Sequence, residues 1–292
     1  MVDQKKAYIA GIISVLLWST VASAFKISLR YLNFIELVFY SSVISCLVLG
    51  IILLQIKRVK DVFHCTRSQY IKSMGLGLLN PFFYYLILFK AYDLLPAQEA
   101  QSLNYTWALT LALLSIPLLK QRLNITDFTG LILGYLGVLI IATQGDIFQL
   151  NFSKPFGVGL ALGSTFIWSI YWIYNTRDNR HPVVCLFLCF IFSLFPITIT
   201  YLLFSGFRIP EFPGLIGAVY IGIFEMSVTY IVWLTALKFS KNTAKVSSLI
   251  FLSPFISLIL IYFLVGEIIK ISTIIGLIFI VSGILIQKLK KR

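Results

Sequence analysis

Apolar residues along this 292-residue chain come in long unbroken runs, not in the strict alternation of a half-buried strand or the stripe of a surface helix. Each run ends at charge, proline or Asn/Asp. The pattern predicts ten membrane-spanning helices, over roughly 8–25, 34–56, 71–91, 98–117, 127–144, 156–176, 183–204, 214–237, 244–264 and 271–288. The connections are short, and none is low-complexity or long enough to be a soluble domain.

Composition explains why lipid must surround these runs. The chain is 59% hydrophobic and 12% charged, with a mean hydropathy of +0.93. A soluble domain carries about 25% charged residues. Soluble-enzyme classes are thereby excluded. The net charge of +13 would suit nucleic acid if it formed a basic helix with interleaved aromatics. Instead Lys and Arg cluster between the apolar runs, as orientation signals do. With both termini on one side, that side holds 18 of the 24 Lys and Arg and the other side 6. The positive-inside rule then predicts cytoplasmic termini, a multi-pass protein of the cell (inner) membrane and the lipid bilayer as its setting, with no nucleic-acid partner.

The N-terminus imitates a signal peptide: Lys5 and Lys6, an apolar run from Ala7, and the small-residue stretch Ala22-Ser23-Ala24. That reading is rejected because the segment has an internal copy. An offset of 150 pairs Ser14 with Ser164 and Trp18-Ser19 with Trp168-Ser169. An offset of 146 pairs Tyr84 with Tyr230, Ser102-Leu103 with Ser248-Leu249, Gly130 with Gly276, and Gly137 with Gly283. Matched Trp, Tyr and Gly carry more weight than matched Leu. The chain therefore divides into two repeats, 1–150 and 151–292, of five spans each. An odd number of spans makes the second copy enter from the opposite face, so the halves are inverted about an axis in the membrane plane. Two such halves around a central cavity can rock between states of similar energy.

At these repeats the chain resembles the drug/metabolite transporter superfamily, in its EamA-type branch of ten helices in two five-helix repeats. The resemblance rests on the stretch Trp233 to Ala236, Ala244, Pro254, the run Leu264-Val265-Gly266-Glu267, and Gly276 followed by Gly283. The first half departs from it, with Gln121 where the second has Glu267. Asn104-Tyr105-Thr106-Trp107, Phe166-Ile167-Trp168 with Tyr171, and Leu17-Trp18-Ser19-Thr20 are similar to the YddG-type aromatic amino acid exporters. The resemblance implies amino acids or similar amphipathic metabolites as the substrate class.

Candidate site residues lie within spans. Glu225 sits near the centre of the eighth, where a carboxylate costs about 2.5–3.5 kcal/mol even on a lenient insertion scale. It must face the cavity, find partners or hold a proton, which suits a substrate-amine contact or a proton-coupling carboxyl. The plainer reading is a protonated Glu bonded to neighbouring helices. In the fourth span Gln101, Asn104 and Ala108 recur at helical spacing beside Gln98 and Tyr105, as a wet path or as interhelical glue. Glu99 is expected to be solvated at that span's outer end. The sixth span puts Ser164, Trp168, Tyr171 and Asn175 on one face, with Trp18 as the repeat mate of Trp168. Together with Trp107, Tyr84 and Tyr230, these rings can grip a planar or cationic substrate, or simply pack. Asn80-Pro81 can bend the third span toward the cavity. Lys26 is expected to snorkel to the outer interface, with contact to an anionic substrate group as the alternative.

Other chemistry is lacking. There is no GxxxxGK[ST] loop, so no nucleotide drives transport, and no GxSxG or HExxH, so an enzyme is not expected. Cys46, Cys65, Cys185 and Cys189 form no CxxC pair; Cys185 and Cys189, four apart on a predicted helix, read as lipid-facing or packing residues, and His64 and His181 fall in predicted loops far from any second ligand. No metal or cofactor is expected. The partner is a small-molecule substrate, and the short loops allow a monomer. An exporter of amino acids or related metabolites leads, with a multidrug or cationic-compound exporter second. Nothing in the sequence sets direction.

Overall fold

The computed structural model describes residues 3–120, 125–148, 154–175, 177–206, 210–240, 246 and 248–288. Gln121 and Ala244, used in the resemblance, lie outside the described residues, as does the expected start of the ninth span. Among the described residues all regular structure is helical: α1 (Gln4–Ser28), α2 (Phe34–Gln55), α3 (Val59–Phe63), α4 (Arg67–Leu94), α5 (Ala97–Asn104), α6 (Trp107–Leu119), α7 (Ile125–Ala142), α8 (Pro155–Asn175), α9 (Pro182–Phe204), α10 (212–239), α11 (248–265) and α12 (Ile271–Lys288). By length and composition, α1, α2, α4, α7, α8, α9 and α10 are each able to cross a membrane, and 249–265 and 271–286 are shorter apolar helices. Leu16, Leu47, Phe195, Leu203 and Phe263 stand exposed on the outside, an apolar surface suited to lipid.

Several starts follow from capping. Asn33 accepts from the Ile35 and Glu36 amides while the Glu36 carboxylate reaches back to the Asn33 amide, a capping box that starts α2. Thr66 and Gln69 start α4 in the same way. Pro182 sits at the first position of α9, where its missing N–H is no loss.

Three helices are irregular in mid-course. A π segment over Leu78–Phe83 interrupts α4 at Asn80-Pro81, and another over Ile221–Val228 interrupts α10. The sequence predicts one continuous helix over 98–117; the structure breaks it between α5 and α6, where Thr106 Oγ1 donates to the Leu103 carbonyl at 2.7 Å. A hydroxyl that bonds its own preceding turn competes with helix continuation. These breaks recur at the repeat offset. Adding 146 to 78–83 gives 224–229, which overlaps the second π segment, and adding it to 105–106 gives 251–252, where a 3₁₀ turn over Ser248–Leu252 gives way to α-helix.

Glycines bring the helices together. A Cβ on Gly137 would meet the Gly276 carbonyl, and one on Gly283 the Gly130 carbonyl. Position 137 therefore faces 276 while 130 faces 283, so α7 and α12 run antiparallel with their backbones in contact. Gly130 and Gly276 are repeat mates, as are Gly137 and Gly283, so each contact is the other's image. Elsewhere, Gly222 lets the second π segment lie on the Ser41 carbonyl of α2, where Ser45 and Ser227 are 2.8 Å apart. Close approach of this kind is how helices gain dispersion contact in lipid.

This crossing yields a prediction. Gly283→Ala should destabilise the protein by about 1–3 kcal/mol, because backbone cannot yield as a side chain can. Gly159→Ala, with nothing within 4 Å of the new methyl, should be neutral. Melting of the purified protein in detergent reads both; equal melting temperatures would overturn the close-crossing account.

Candidate functional site

Between the helices lies a cavity of about 600 Å³, within the size range of small-molecule sites. Its deep part is formed by Trp18, Phe25, Tyr84, Tyr92 and Glu225, and it runs past Asn104 and Trp107 to Ser115, Asp127 and Arg177. Arg177 is exposed, so the cavity reaches the surface at that end. Its walls come from α1, α4, α5, α6, α7, α8, α10, α11 and α12.

Glu225 is placed by the π segment of α10. Extra backbone in one turn offsets the side chains that follow and frees backbone groups, an arrangement frequent at functional sites. The residue is 7% exposed. The Tyr85 hydroxyl donates to its Oε1 at 3.1 Å and the Trp18 indole lies beside the carboxylate, while Oε2 makes no hydrogen bond within the protein. Gln101 Oε1, also in the cavity wall and buried, likewise has none. Asn104 is held on both sides: its Nδ2 donates to Ser164 Oγ at 2.9 Å and its Oδ1 accepts from the Tyr84 hydroxyl at 3.4 Å. Tyr105 donates across the cavity to the Ile250 carbonyl at 3.2 Å.

Four of the aromatic candidates form one chain of rings. Tyr84 stacks on Trp168 at 4.5 Å between centroids, Trp168 meets Tyr230 at 6.0 Å, and Tyr230 meets Trp18 edge-on at 6.2 Å. The pairs Trp18–Tyr230 and Trp168–Tyr84 exchange under the repeat, as the glycine contacts do. Trp18, Tyr84, Gln101, Asn104, Trp107, Trp168 and Glu225 thus share the main cavity. Tyr171 and Tyr230 line a second cavity of about 240 Å³ with Asn175, and Trp172 belongs to both. Asn80 is buried at the α4 break, beside the Tyr171 hydroxyl, and does not line the main cavity.

The end opposite Arg177 is shut by polar contacts between the two halves. The Glu267 carboxylate accepts from the Ala97 and Gln98 amides at 2.7 and 3.2 Å, capping α5. The Gln98 side chain donates to the Ile268 carbonyl at 2.9 Å and accepts from the Lys270 amide at 2.8 Å and Thr273 Oγ1 at 3.0 Å. Glu99 is buried, not solvated as expected, because Lys270 Nζ reaches it at 3.1 Å and Gln144 Nε2 at 3.3 Å. Lys26 does not snorkel outward: its ammonium donates to the Tyr92 and Leu95 carbonyls at 2.7 Å each, at the C-terminal end of α4, where a cation favours the helix dipole.

Sequence reasoning misses Tyr85, Phe25, Tyr92 and Trp172. Trp172 had a signal, since it follows Trp168 by one helical turn. Tyr85 had none beyond its neighbour Tyr84, because the α4 break decides which tyrosine meets Glu225. Cys46, Cys185 and Cys189 are buried. Among the described residues no three His, Cys, Asp or Glu side chains gather as metal ligands.

At the second cavity, in the loop between α8 and α9, Asp178 is gripped by Arg180 at 2.7 Å and Lys72 at 3.2 Å. The Arg180 guanidinium, which also donates to Ser73 Oγ at 2.9 Å, holds the Asp178 carboxyl well below the usual carboxylate range.

A family model described as "EamA-like transporter family" matches residues 5–143 and again 155–287. The chain is similar to an uncharacterized transporter of Archaeoglobus fulgidus, 23% identical over 98% of both chains. It is 28% identical to an uncharacterized transporter of Clostridium kluyveri over 64% of this chain and 65% of that one, just under two thirds of that relative's length. It is 26% identical to the uncharacterized transporter YvbV of Bacillus subtilis over 74% and 71%. A crystal structure with 23% identity shares the fold at a TM-score of 0.68 over 98% of this chain and 99% of that one.

The Asp178 pair gives a second prediction. Asp178→Asn leaves Arg180 buried without its counter-charge, which costs about 3 kcal/mol or more, so detergent melting should fall by several degrees. Lys72→Gln, at a 31% exposed side chain, should cost about 0–1 kcal/mol. Because the folded carboxyl titrates below its unfolded value, this stabilisation is complete above the ordinary carboxylate range and is lost only as pH falls through the folded value. Equal losses for the two variants would refute the assignment.

Proposed function

We propose that this chain, which belongs to the EamA-like transporter family, is a secondary transporter of the inner membrane that moves a small amphipathic metabolite through the main cavity by alternating access. The observation that carries this reading is the cavity itself. Both halves wall it, the exposed Arg177 marks its mouth, and the contacts around Glu267 and Gln98 shut its other end. The cavity and its two ends supply the parts of one state of an alternating cycle. With the termini in the cytoplasm, as the charge bias argues, this state faces inward.

The reading takes the molecule as ten spans in two inverted repeats, 1–150 and 151–292. The exchanged pairs support it: 137–276 with 130–283, and Trp18–Tyr230 with Trp168–Tyr84. Antiparallel helices whose contacts exchange under the repeat are related by a two-fold axis across them, which lies in the membrane plane if the helices span it.

Glu225 is the residue on which coupling turns. It is a carboxyl of the deep cavity with one oxygen bonded and one without a hydrogen bond, so it can meet a substrate amine or a proton in turn. The resemblance to aromatic amino acid exporters makes amino acids the leading substrate class and export the leading reading. A cationic compound is the second reading, favoured by the rings around Glu225.

Counterflow of radiolabelled amino acids in proteoliposomes, with an aromatic amino acid and a cationic dye as competitors, tests the proposal. Saturable exchange is expected, and Glu225→Gln should abolish or uncouple it while expression stays intact. Normal transport by Glu225→Gln at every pH would remove the coupling role. Accumulation of the dye alone would move the cationic reading to first place.

A further inference from the structure

We infer that α3 and its flanking turns form a binding site for an anionic phospholipid, with Lys57, Lys60 and Arg67 on the headgroup and Phe63 at the acyl boundary. None of these residues lines the main cavity, so this inference and the transport reading can fail separately. α2 and α4 are both long and apolar enough to cross a membrane, so the connection between them emerges at a membrane face. By the charge bias that face is cytoplasmic. The connection is anchored. Val62 is buried, α3 packs on α2 and α9, and the Tyr70 hydroxyl of α4 donates to the Val62 carbonyl at 2.6 Å. Phe63, the last residue of α3, is nevertheless 76% exposed. An open ring on an anchored helix at a membrane face suits the boundary of headgroups and acyl chains, where interfacial helices bury such residues.

The charge around Phe63 is one-sided. Residues 57–67 hold four Lys and Arg against one acid. That acid, Asp61, is bound by Arg58 at 2.9 Å. Among the described residues Lys57, Lys60 and Arg67 are exposed and make no ion pair. Lys57 also sits where the backbone disfavours it. The Arg58 amide donates to the Leu53 carbonyl at 3.0 Å and the Lys57 amide to the Leu54 carbonyl at 3.1 Å, a Schellman close to α2 that puts Lys57 at φ 57°. Glycine takes that left-handed position without steric cost. A lysine there gives up local stability and supplies a cation at the bilayer edge, where anionic lipid attracts it and its long stem can lie on apolar surface. A cation also suits the carboxyl end of a helix, a structural role that the test separates from lipid binding.

The test is native mass spectrometry of the purified full-length protein in detergent, titrated with phosphatidylglycerol or with phosphatidylcholine of the same chains. Phosphatidylglycerol should bind on the order of tenfold or more tighter. Lys57→Gln, Lys60→Gln and Arg67→Gln should each weaken it by up to about fivefold, the factor one basic side chain carries near an anionic surface. All three together should erase the preference, with a melting curve showing that the variant is folded. Lys5→Gln with Lys6→Gln, on the same face by the charge bias, should leave it intact. Phe63→Ser should weaken both lipids. Lys57→Gly should lower the affinity for phosphatidylglycerol while melting no lower than the native chain in lipid-free detergent. Equal binding of the two lipids, a preference that survives the triple variant, an equal loss in the Lys5 and Lys6 variant, or native binding by Phe63→Ser overturns the site. A Lys57→Gly variant that melts lower yet keeps its affinity does so too. Glycerol 3-phosphate, which carries the charge without the chains, should not compete at matched concentration; full competition would assign the site to a soluble anion and overturn the lipid reading.

Discussion

In hydrocarbon a backbone N–H or C=O without a partner costs several kcal/mol, and this constraint governs every irregular feature of the molecule. A break in a helix is tolerated only where protein or a polar cavity surrounds it. The breaks in α4, between α5 and α6, in α10 and in α11 lie in or beside the wall of the central cavity. The irregular backbone and the cavity are therefore one feature: the bends make the space, and the space makes the bends affordable in lipid. Glu225 falls within one such bend.

The broad architecture was legible because lipid imposes a crude code. Uninterrupted apolar runs lie close to most observed helices, and the glycines matched across the repeat sit at the antiparallel crossing of α7 and α12. Those glycines could be found because nothing larger fits between two touching backbones. The division of 98–117 into α5 and α6 was hidden, since Thr106 ends a turn through its own hydroxyl and leaves no apolar gap. Short α3 was hidden for a similar reason: five residues hold no period to detect.

Within the site, Trp18, Gln101, Asn104, Trp107 and Trp168 stood out because large or polar side chains are conspicuous in an apolar run. The structure gathers them around Glu225 and diverts Tyr171 and Tyr230 to the neighbouring cavity. What could not be read was pairing. Tyr85 and Tyr84 are adjacent in sequence, yet one donates to Glu225 and the other to Asn104. Glu99 and Lys270 are far apart in sequence and meet only because α5 and α12 begin at the same end of the fold.

The polar contacts that shut this end have a mechanical consequence. Apolar packing fades gradually as surfaces slide, but a hydrogen bond is lost once donor and acceptor part beyond about 3.5 Å. The bonds of Glu267 and Gln98 join the start of α5 to the segment leading into α12 and to its first turn. A displacement of about one ångström releases them together, and water can then satisfy each freed group. A set of contacts built this way behaves as a snap fastener: stiff until it yields, then wholly undone.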